Sequence, residues 1–491
     1  MCVLESGGSK PGQLDSELRG GASVGYPYVN LKHVNDRALG GTSHCWQFWH
    51  ACPLDRIDFE RRSGVPGSGW PFDRTALVPF YRLAEQLCGL NPFDYGDRPD
   101  ADEPLSTRLP VRPGPLVVRP LQALTSRFGE HSERLARSND VRVLLHATST
   151  ELLTEGGDGR VTGIRALTTR DKKLTVRARI YVLASGGIEN PRLLLLSNRV
   201  HTRGLGNGND LVGRYFMEHL AARSGVIVPT SPALLEQRSL YLVPGTLYTE
   251  NDRQKVSVRR LVTLDERVMR HEGLLNVAFL LEGQTESFAC DGTRSLATLA
   301  RAVVSRPRAP HLIRHGAAAL RDVMGISGAI GRKLARRPIV PEVLAIRVQA
   351  EQQPNRESRI TLGDRRDALG LPLPRLDWRL SPGDTESIRR TQDVLDRELR
   401  AARLGAVEDK LGEERPPALF YGLYHHLGTT RMARDPKQGV VDSDCRVHGV
   451  SNLFIAGSSV FPTGGWANPT LTIVALSVRL ADHLKQAHGF H

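Results

Sequence analysis

Six cysteines in 491 residues are few, and they are scattered. They are Cys2, Cys45, Cys52, Cys88, Cys290 and Cys445; only Cys45 and Cys52 lie close together, at a spacing that matches no zinc-binding pattern. That speaks against a disulfide scaffold, and reduced, mostly buried thiols in a cytoplasmic protein are expected. Long apolar runs are missing as well. No stretch of 18 or more apolar residues exists, so no transmembrane helix is expected. No signal peptide is visible, because charged residues follow Leu4 too soon. Acids are short relative to bases, 53 Asp and Glu against 66 Lys and Arg, for a formal net charge of +13. Arginine dominates the excess and no nucleic-acid motif accompanies it, so nucleic acid is not an expected partner. What is present is ordinary for a large soluble chain, with 40% hydrophobic and 24% charged residues. At roughly 100–200 residues per domain, the length predicts two or three domains.

The opening run, Met1-Cys-Val-Leu-Glu-Ser-Gly-Gly8, reads as the end of a buried strand that closes on an acid and a glycine turn. A nucleotide-binding βαβ unit ends its second strand this way, with the acid on a ribose hydroxyl. Residues 37–49 form a glycine-rich loop with small hydroxyl residues, and Ala76–Leu90 has helical periodicity. Val141–Leu145 alternates like a strand; a hairpin follows, turning at Gly156, Gly157 and Gly159 and returning through Val161–Leu167. Arg179–Ser185 reads as a fully buried strand that runs into Gly186-Gly187 and then a helix, Glu189–Leu196. Such a step aims backbone N–H groups and a helix N-terminus at one point, which suits an anion. From about 221 to 420, short β patterns (Ser224–Val228, Val256–Leu264, Leu275–Leu281, Val343–Val348, Ser358–Leu362) alternate with loops and helices, as in an antiparallel sheet with insertions. Strand-then-helix grammar returns at the end: Asn452–Ala456, an irregular Gly457–Pro462 connection, and a helix to about Lys485 with Asn468 as cap and Pro469 in its first turn.

His425 and His426 precede the last strand and Asn468 follows it, both on the strand's carboxyl side, where open α/β sheets bind ligands. A histidine there can accept a hydroxyl proton and an asparagine amide can donate to the oxygen as charge develops. Structural roles, a packed histidine and a simple helix cap, stay open on these residues alone.

Several ordered blocks carry a resemblance. They are Arg37-Ala-Leu-Gly-Gly-Thr-Ser43, Pro53–Phe59, Ser68-Gly-Trp-Pro71, Gly186–Arg192, Asn209–His219, Gln352–Asn355 with Ser358-Arg359, and the C-terminal series His425 to Thr429, Gly439–Asp442, Arg446–Ala456, Gly457–Pro462 and Asn468–Thr472. Together the chain resembles glucose-methanol-choline oxidoreductases over nearly its whole length. The resemblance implies a doubly wound FAD-binding domain, discontinuous over 1–220 and 426–491, with an inserted antiparallel-sheet substrate domain over 221–425. It implies oxidation of a CH–OH group of an alcohol, sugar or polyol, by proton loss to His425 and hydride transfer to flavin N5, with Asn468 positioning the oxygen. It places Glu5 on the adenosine ribose and Val143 beside adenine. Gly40, Gly41, Thr42 and Ser43 fall beside the pyrophosphate and flavin, and Gly186 and Gly187 at a nucleotide-side turn. Gly457, Ser458, Pro469 and Thr470 fall near the ribityl chain and the pyrimidine edge. Where some relatives attach FAD through a histidine, this sequence has Cys45, with His44 one place off, so FAD is expected to be noncovalent and Cys45 small and buried. Substrate identity and electron acceptor stay open.

Two features set this chain apart. Its proposed ribose acid is residue 5, so the usual first strand, Gly-x-Gly-x-x-Gly loop and helix, roughly 30 residues, are expected upstream of Met1. Gly204–Gly208 lacks the flanking strand and helix that would replace them, and weak FAD binding by this form is expected. Residues 301–337 carry nine Arg and Lys against one acid, Asp322, with apolar residues that allow amphipathic helices; a solvated insertion or a surface that docks an anionic membrane or acidic partner are the two readings. A folded fragment unable to hold FAD is the alternative for the chain as a whole.

Overall fold

The computed structural model describes residues 1–12, 18–46, 50–91, 95, 109, 111, 114–126, 128–155, 159–168, 172–242, 249–251, 256–284, 341–411 and 420–489. The basic stretch 301–337 lies outside the described residues. Nucleotide-type pairing occurs twice. Strand Cys2–Leu4 runs parallel to Arg142–Leu144 with Val3 opposite Val143, and Leu453–Ile455 runs parallel to Tyr181–Leu183 with Phe454 opposite Val182. The second pair feeds two helices, Gly186–Leu196 after one strand and Thr470–His488 beyond the other. The hairpin expected after Val141–Leu145 is formed by Ala147–Thr154 with Val161–Thr168 and extended by Lys173–Val176.

Two expectations change here. The strand expected over Arg179–Ser185 is only Tyr181–Leu183, and it is not buried on both faces: Val182 is 43% exposed. Among the described residues its one strand neighbour is Leu453–Ile455. Gly186 and Gly187 are not a loop before the helix but its first two residues.

The larger sheet has ten strands. Its main path runs Gly405–Glu408, Leu220–Pro229, Val343–Ala350, Val277–Gln284, Val256–Leu264, Leu116–Ala123 and His50–Ala51, with antiparallel neighbours throughout. The last two strands come from within residues 1–220, so a division at 220 cuts through this sheet. Pairing explains the recruitment: Leu116–Ala123 matches Val258–Leu264 residue for residue over seven positions, satisfying an edge that would otherwise leave N–H and C=O groups open. Val277–Leu281 is buried at every position, as expected for a central strand covered on both faces. The long helix Pro382–Ala401 supplies part of that cover through Ile388, Leu395 and Leu399, and starts with a capping box between Ser381 and Asp384.

The two regions are joined by a buried ion pair. Arg62 donates from Nη1 to Glu351 Oε2 at 2.8 Å and from Nη2 to Oε1 at 2.6 Å, and Asn276 N adds a third bond to that carboxylate at 3.0 Å. Breaking one side of such a pair strands a charge. Arg62→Ala is therefore expected to lower unfolding stability by about 3–5 kcal/mol, read as the urea midpoint against the unsubstituted chain. Arg62→Lys, which keeps the charge without the two-pronged geometry, should fall between them.

Candidate active site

The nucleotide-side residues converge through backbone contacts. Glu5 ends the Cys2–Leu4 strand; its Oε1 accepts from Gly7 N at 2.7 Å, and its own backbone bonds Leu144 O and Ala147 N, which sets it next to Val143. Gly8 bridges Ala38, carrying the chain to the glycine loop. There Gly41–Cys45 is a short 3-10 turn, held by Ser43 Oγ donating to Gly40 O at 2.6 Å and accepting from Phe128 N at 3.0 Å. A Cβ on Gly40 would stand 2.5 Å from Gly129 N, so only glycine lets these two turns touch. On the other side, Ser458 Oγ donates to His426 O at 2.7 Å and Thr429 Oγ1 donates to Gly187 O at 2.6 Å. Those bonds bring Gly187, Ser458 and the histidine pair to one place.

Asn468 does not cap the last helix as the sequence suggested. The helix begins at Thr470 with Pro469 as its cap, and the Asn468 side chain points elsewhere. Its Nδ2 donates to His50 O at 2.5 Å and its Oδ1 accepts from Gln349 Nε2 at 2.9 Å. Gln349 stands opposite Ala221 in the large sheet, two residues beyond His219.

The two histidines differ sharply in what holds them. His426 is buried, and its Nε2 lies 3.0 Å from Tyr28 OH, which donates its single proton to Glu218 Oε2 at 2.6 Å. Nε2 of His426 must then be the donor of that pair. Nδ1 of the half-buried His425 lies 2.8 Å from Nδ1 of His219, and its Nε2 makes no hydrogen bond to the described residues. His219 Nε2 in turn faces Gly464 O at 3.4 Å. Glu218 joins the whole group, accepting at Oε1 from the backbone N–H of His219 at 2.9 Å and of His425 at 2.7 Å.

Among the described residues no cation pairs with this carboxylate, and burial raises its pKa to about 7 against the pull of Tyr28 and three backbone donors. The imidazoles respond in the opposite sense. Burial lowers His219 and His426 to about 4 and holds His425 well below its usual value, with His219 and His426 adding to the last shift. All three are neutral near pH 7. His50, with both ring nitrogens buried and unbonded among the described residues, is pushed down to about 3 by burial and by Arg259.

Comparison with known proteins gives the family. The sequence pattern described as GMC oxidoreductase fits residues 122–221 in its N-terminal part and 354–477 in its C-terminal part. The chain belongs to the GMC oxidoreductase family. The chain is similar to 2-methyl-1,2-propanediol dehydrogenase of Mycolicibacterium austroafricanum, at 25% identity over 516 residues, covering 94% of this chain and 83% of that protein. It is also similar to a C-glycoside 3-oxidase of Arthrobacter globiformis, at 36% identity over 30% of this chain and 28% of the relative. Among solved structures, formate oxidase of Aspergillus oryzae RIB40 superposes with a TM-score of 0.54 at 16% identity, covering 99% of this chain and 94% of that one. An FAD-dependent oxidoreductase from Chaetomium thermophilum gives 0.55 at 16%, covering 100% and 95%. These likenesses carry the fold: a mixed α/β, FAD-binding GMC architecture.

The residues of this GMC oxidoreductase fit the FAD that the family implies. Gly41, Gly186 and Gly457 have positive φ, and a Cβ on any of them would meet nothing within 4 Å, which leaves room beside each. Helices Gly186–Leu196 and Thr470–His488 both start without a side-chain cap, so their first N–H groups remain for an anionic group. The Gly204–Gly208 run opens no helix, as expected. Cys45 corrects an expectation: it is exposed, with Sγ 3.2 Å from Asp36 Oδ2, because the turn it closes lies at the surface. Of the other described cysteines, Cys52, Cys88 and Cys445 are buried and Cys2 is exposed. No described helix is long and apolar enough to cross a membrane.

Sequence reasoning missed Tyr28, Glu218, His219, Gln349 and His50 as site residues. Glu218 and His219 close the block Asn209–His219, so their presence was in view, but only the fold aligns them with a histidine some 200 positions later. One substitution probes the junction. A Cβ on Gly187 would sit 2.4 Å from His426 O and 2.6 Å from its Cβ, with no flexible side-chain end to yield. Gly187→Ala should cost about 1–3 kcal/mol by thermal unfolding and also slow flavin reduction, since the His425–His426 backbone has to shift.

Proposed function

We propose that this GMC oxidoreductase oxidises a CH–OH group of an alcohol, sugar or polyol, with His425 as the base and Asn468 as the oxygen-positioning group. The observation that carries this reading is the contrast between the two histidines. His426 is committed as a donor to Tyr28, whereas Nε2 of His425 has no partner among the described residues and is held neutral by burial. A neutral imidazole with a free ring nitrogen is a proton acceptor. Asn468 Nδ2 carries two hydrogens, one on His50 O, so the other remains for a substrate oxygen. FAD, when bound, supplies the acceptor for the hydride. Relatives named for a propanediol, a C-glycoside and fructose support a polyol or sugar as the substrate class.

Noncovalent FAD is part of the proposal. His44 Nε2 is 2.9 Å from Leu39 O and its ring rests against Gly129, which keeps it occupied, and Cys45 holds the neighbouring place. Acid precipitation of the loaded protein should leave the flavin in the supernatant; flavin in the pellet would refute this.

A dye-reduction screen over diols, polyols and sugars tests the reaction class. Within it, His425→Ala is expected to slow flavin reduction by about 10²–10⁴-fold, the usual worth of a positioned base. His426→Ala should cost less than about tenfold at equal flavin content, because its role is to hold Tyr28. The pH dependence follows from the lowered His425 pKa. Below an ordinary histidine pKa of about 6.5 a free imidazole is protonated and useless as a base, but His425 stays neutral well under that value. The acid limb of the flavin-reduction profile is therefore expected below pH 6.5; a limb at 6.5 or above would show that burial does not set it.

A further inference from the structure

His219 belongs to no role assigned so far, yet its ring touches the base and nothing that reacts. Four contacts define its surroundings. Its Nε2 faces Gly464 O at 3.4 Å, and the Gly465 carbonyl acts on the same ring. Its Nδ1 faces His425 Nδ1 at 2.8 Å. Its backbone N–H is fixed on Glu218 Oε1, the same oxygen that holds the backbone N–H of His425. Both rings are thus hung from one carboxylate and cross nearly edge to face, at 82°.

The carbonyl decides the proton positions. An amide oxygen only accepts, so the His219 nitrogen that faces Gly464 must be N–H. A neutral imidazole carries one such hydrogen, so Nδ1 of His219 is the lone-pair nitrogen. Its partner must then donate: His425 is N–H at Nδ1 and has its lone pair at Nε2, the nitrogen left unpartnered. From this chain of contacts we infer that His219 is a positioning residue, which fixes the tautomer of His425 so that Nε2 is the proton-accepting atom. The inference rests on the reading of His425 as the base.

The anchor at the far end is rigid. A Cβ at Gly464 would stand 2.4 Å from Leu427 Cδ1, and one at Gly465 would stand 2.2 Å from Asp58 Oδ2. Thr463 Oγ1 donates to Asp58 O at 2.6 Å and accepts from Trp70 Nε1 at 3.0 Å, and Trp466 O accepts from Gln349 Nε2 at 2.6 Å. The Gly464 carbonyl therefore has little freedom to turn away, and His219 little freedom to reverse its own tautomer. The titratable groups facing the two rings are His426, Glu218 with Tyr28 behind it, and Glu351 on the His219 side. None offers a proton donor to Nδ1 of His425 that would compete with this arrangement.

The test reads the tautomer directly. In the chain labelled with ¹⁵N-histidine, without FAD, His425 identified by its loss in His425→Ala should show a protonated Nδ1 and an unprotonated Nε2 at pH 7. The reverse pattern overturns the inference, and this arm needs no variant at 219 to fold. In FAD-loaded protein, His219→Leu removes the acceptor, so His425 should populate both tautomers. Flavin reduction at saturating substrate should slow about tenfold to a thousandfold with KM little changed, as when the orienting partner of a catalytic histidine is lost. His219→Asn, whose Oδ1 can accept in place of Nδ1, should recover much of that rate; an Asn variant no better than Leu, or a Leu variant with wild-type ¹⁵N pattern and rate, counts against His219. If His425→Ala leaves flavin reduction unchanged while the Nδ1–H pattern is present, the tautomer assignment is supported and the base reading fails, so the two are separable.

Discussion

A single buried carboxylate, with no counter-cation among the described residues, organises this site. Glu218 accepts from backbone N–H groups of Leu423, His219 and His425 and from the Tyr28 hydroxyl. Each of these donors belongs to a different requirement. His219 and His425 are the ring pair, Leu423 leads into the segment that turns at Tyr424 with a positive φ of 64°, and Tyr28 orients His426. Burying a charge is costly unless its oxygens are hydrogen-bonded, and hydrogen bonds from neutral donors are what hold it here. Because all four donors approach two oxygens a short distance apart, displacing any one strand of the chain disturbs the others.

The second anchor is the loop from Thr463 to Asn468, which lies between the large antiparallel sheet and the last helix. It is bonded to Asp58, Trp70, Asp55, Gln349 and His50 along its length. Through Asp58 and Asn276 the same network reaches Glu351 and Arg62. The groups proposed to bear chemistry, His425 and Asn468, thus sit on segments fixed by opposite sides of one polar core. Preorganisation of this sort is what an acid–base site requires, since the donors need no rearrangement as charge moves.

Much of this was legible in the sequence because it is written locally. Strand and helix limits came through to within a few residues in the elements with clear periodicity, such as Val256–Leu264, and the glycine and histidine signatures are contiguous strings. What escaped was whatever depends on distant segments meeting. Residues 50–51 and 116–123 carry no sign that they complete a sheet begun after 220, since strand pairing is decided by edges and not by composition. Val182 looked buried because an apolar run does not say how many of its faces are covered. Cys45 looked buried by its chemistry, but the turn it closes lies at the surface; Asn468 looked like a cap because Asn-Pro usually is one, but partners remote in sequence, Gln349 and His50, take its side chain. His219 is the extreme case: nothing within the chain around it indicates His425.

The crowding around the glycines has a consequence for how such an enzyme can diversify. At positions 187, 428, 464 and 465 any side chain would strike backbone or a buried carboxylate group at 2.2–2.4 Å or a leucine methyl at 2.4 Å, and two of the four, Gly428 and Gly465, have a positive φ that disfavours larger residues in any case. Substitution there would force the surrounding chain to shift whatever the substrate. Tyr424, half exposed beside His425, meets no such barrier. New substrate preferences in this scaffold would have to arise away from these glycines, as at the 424 corner.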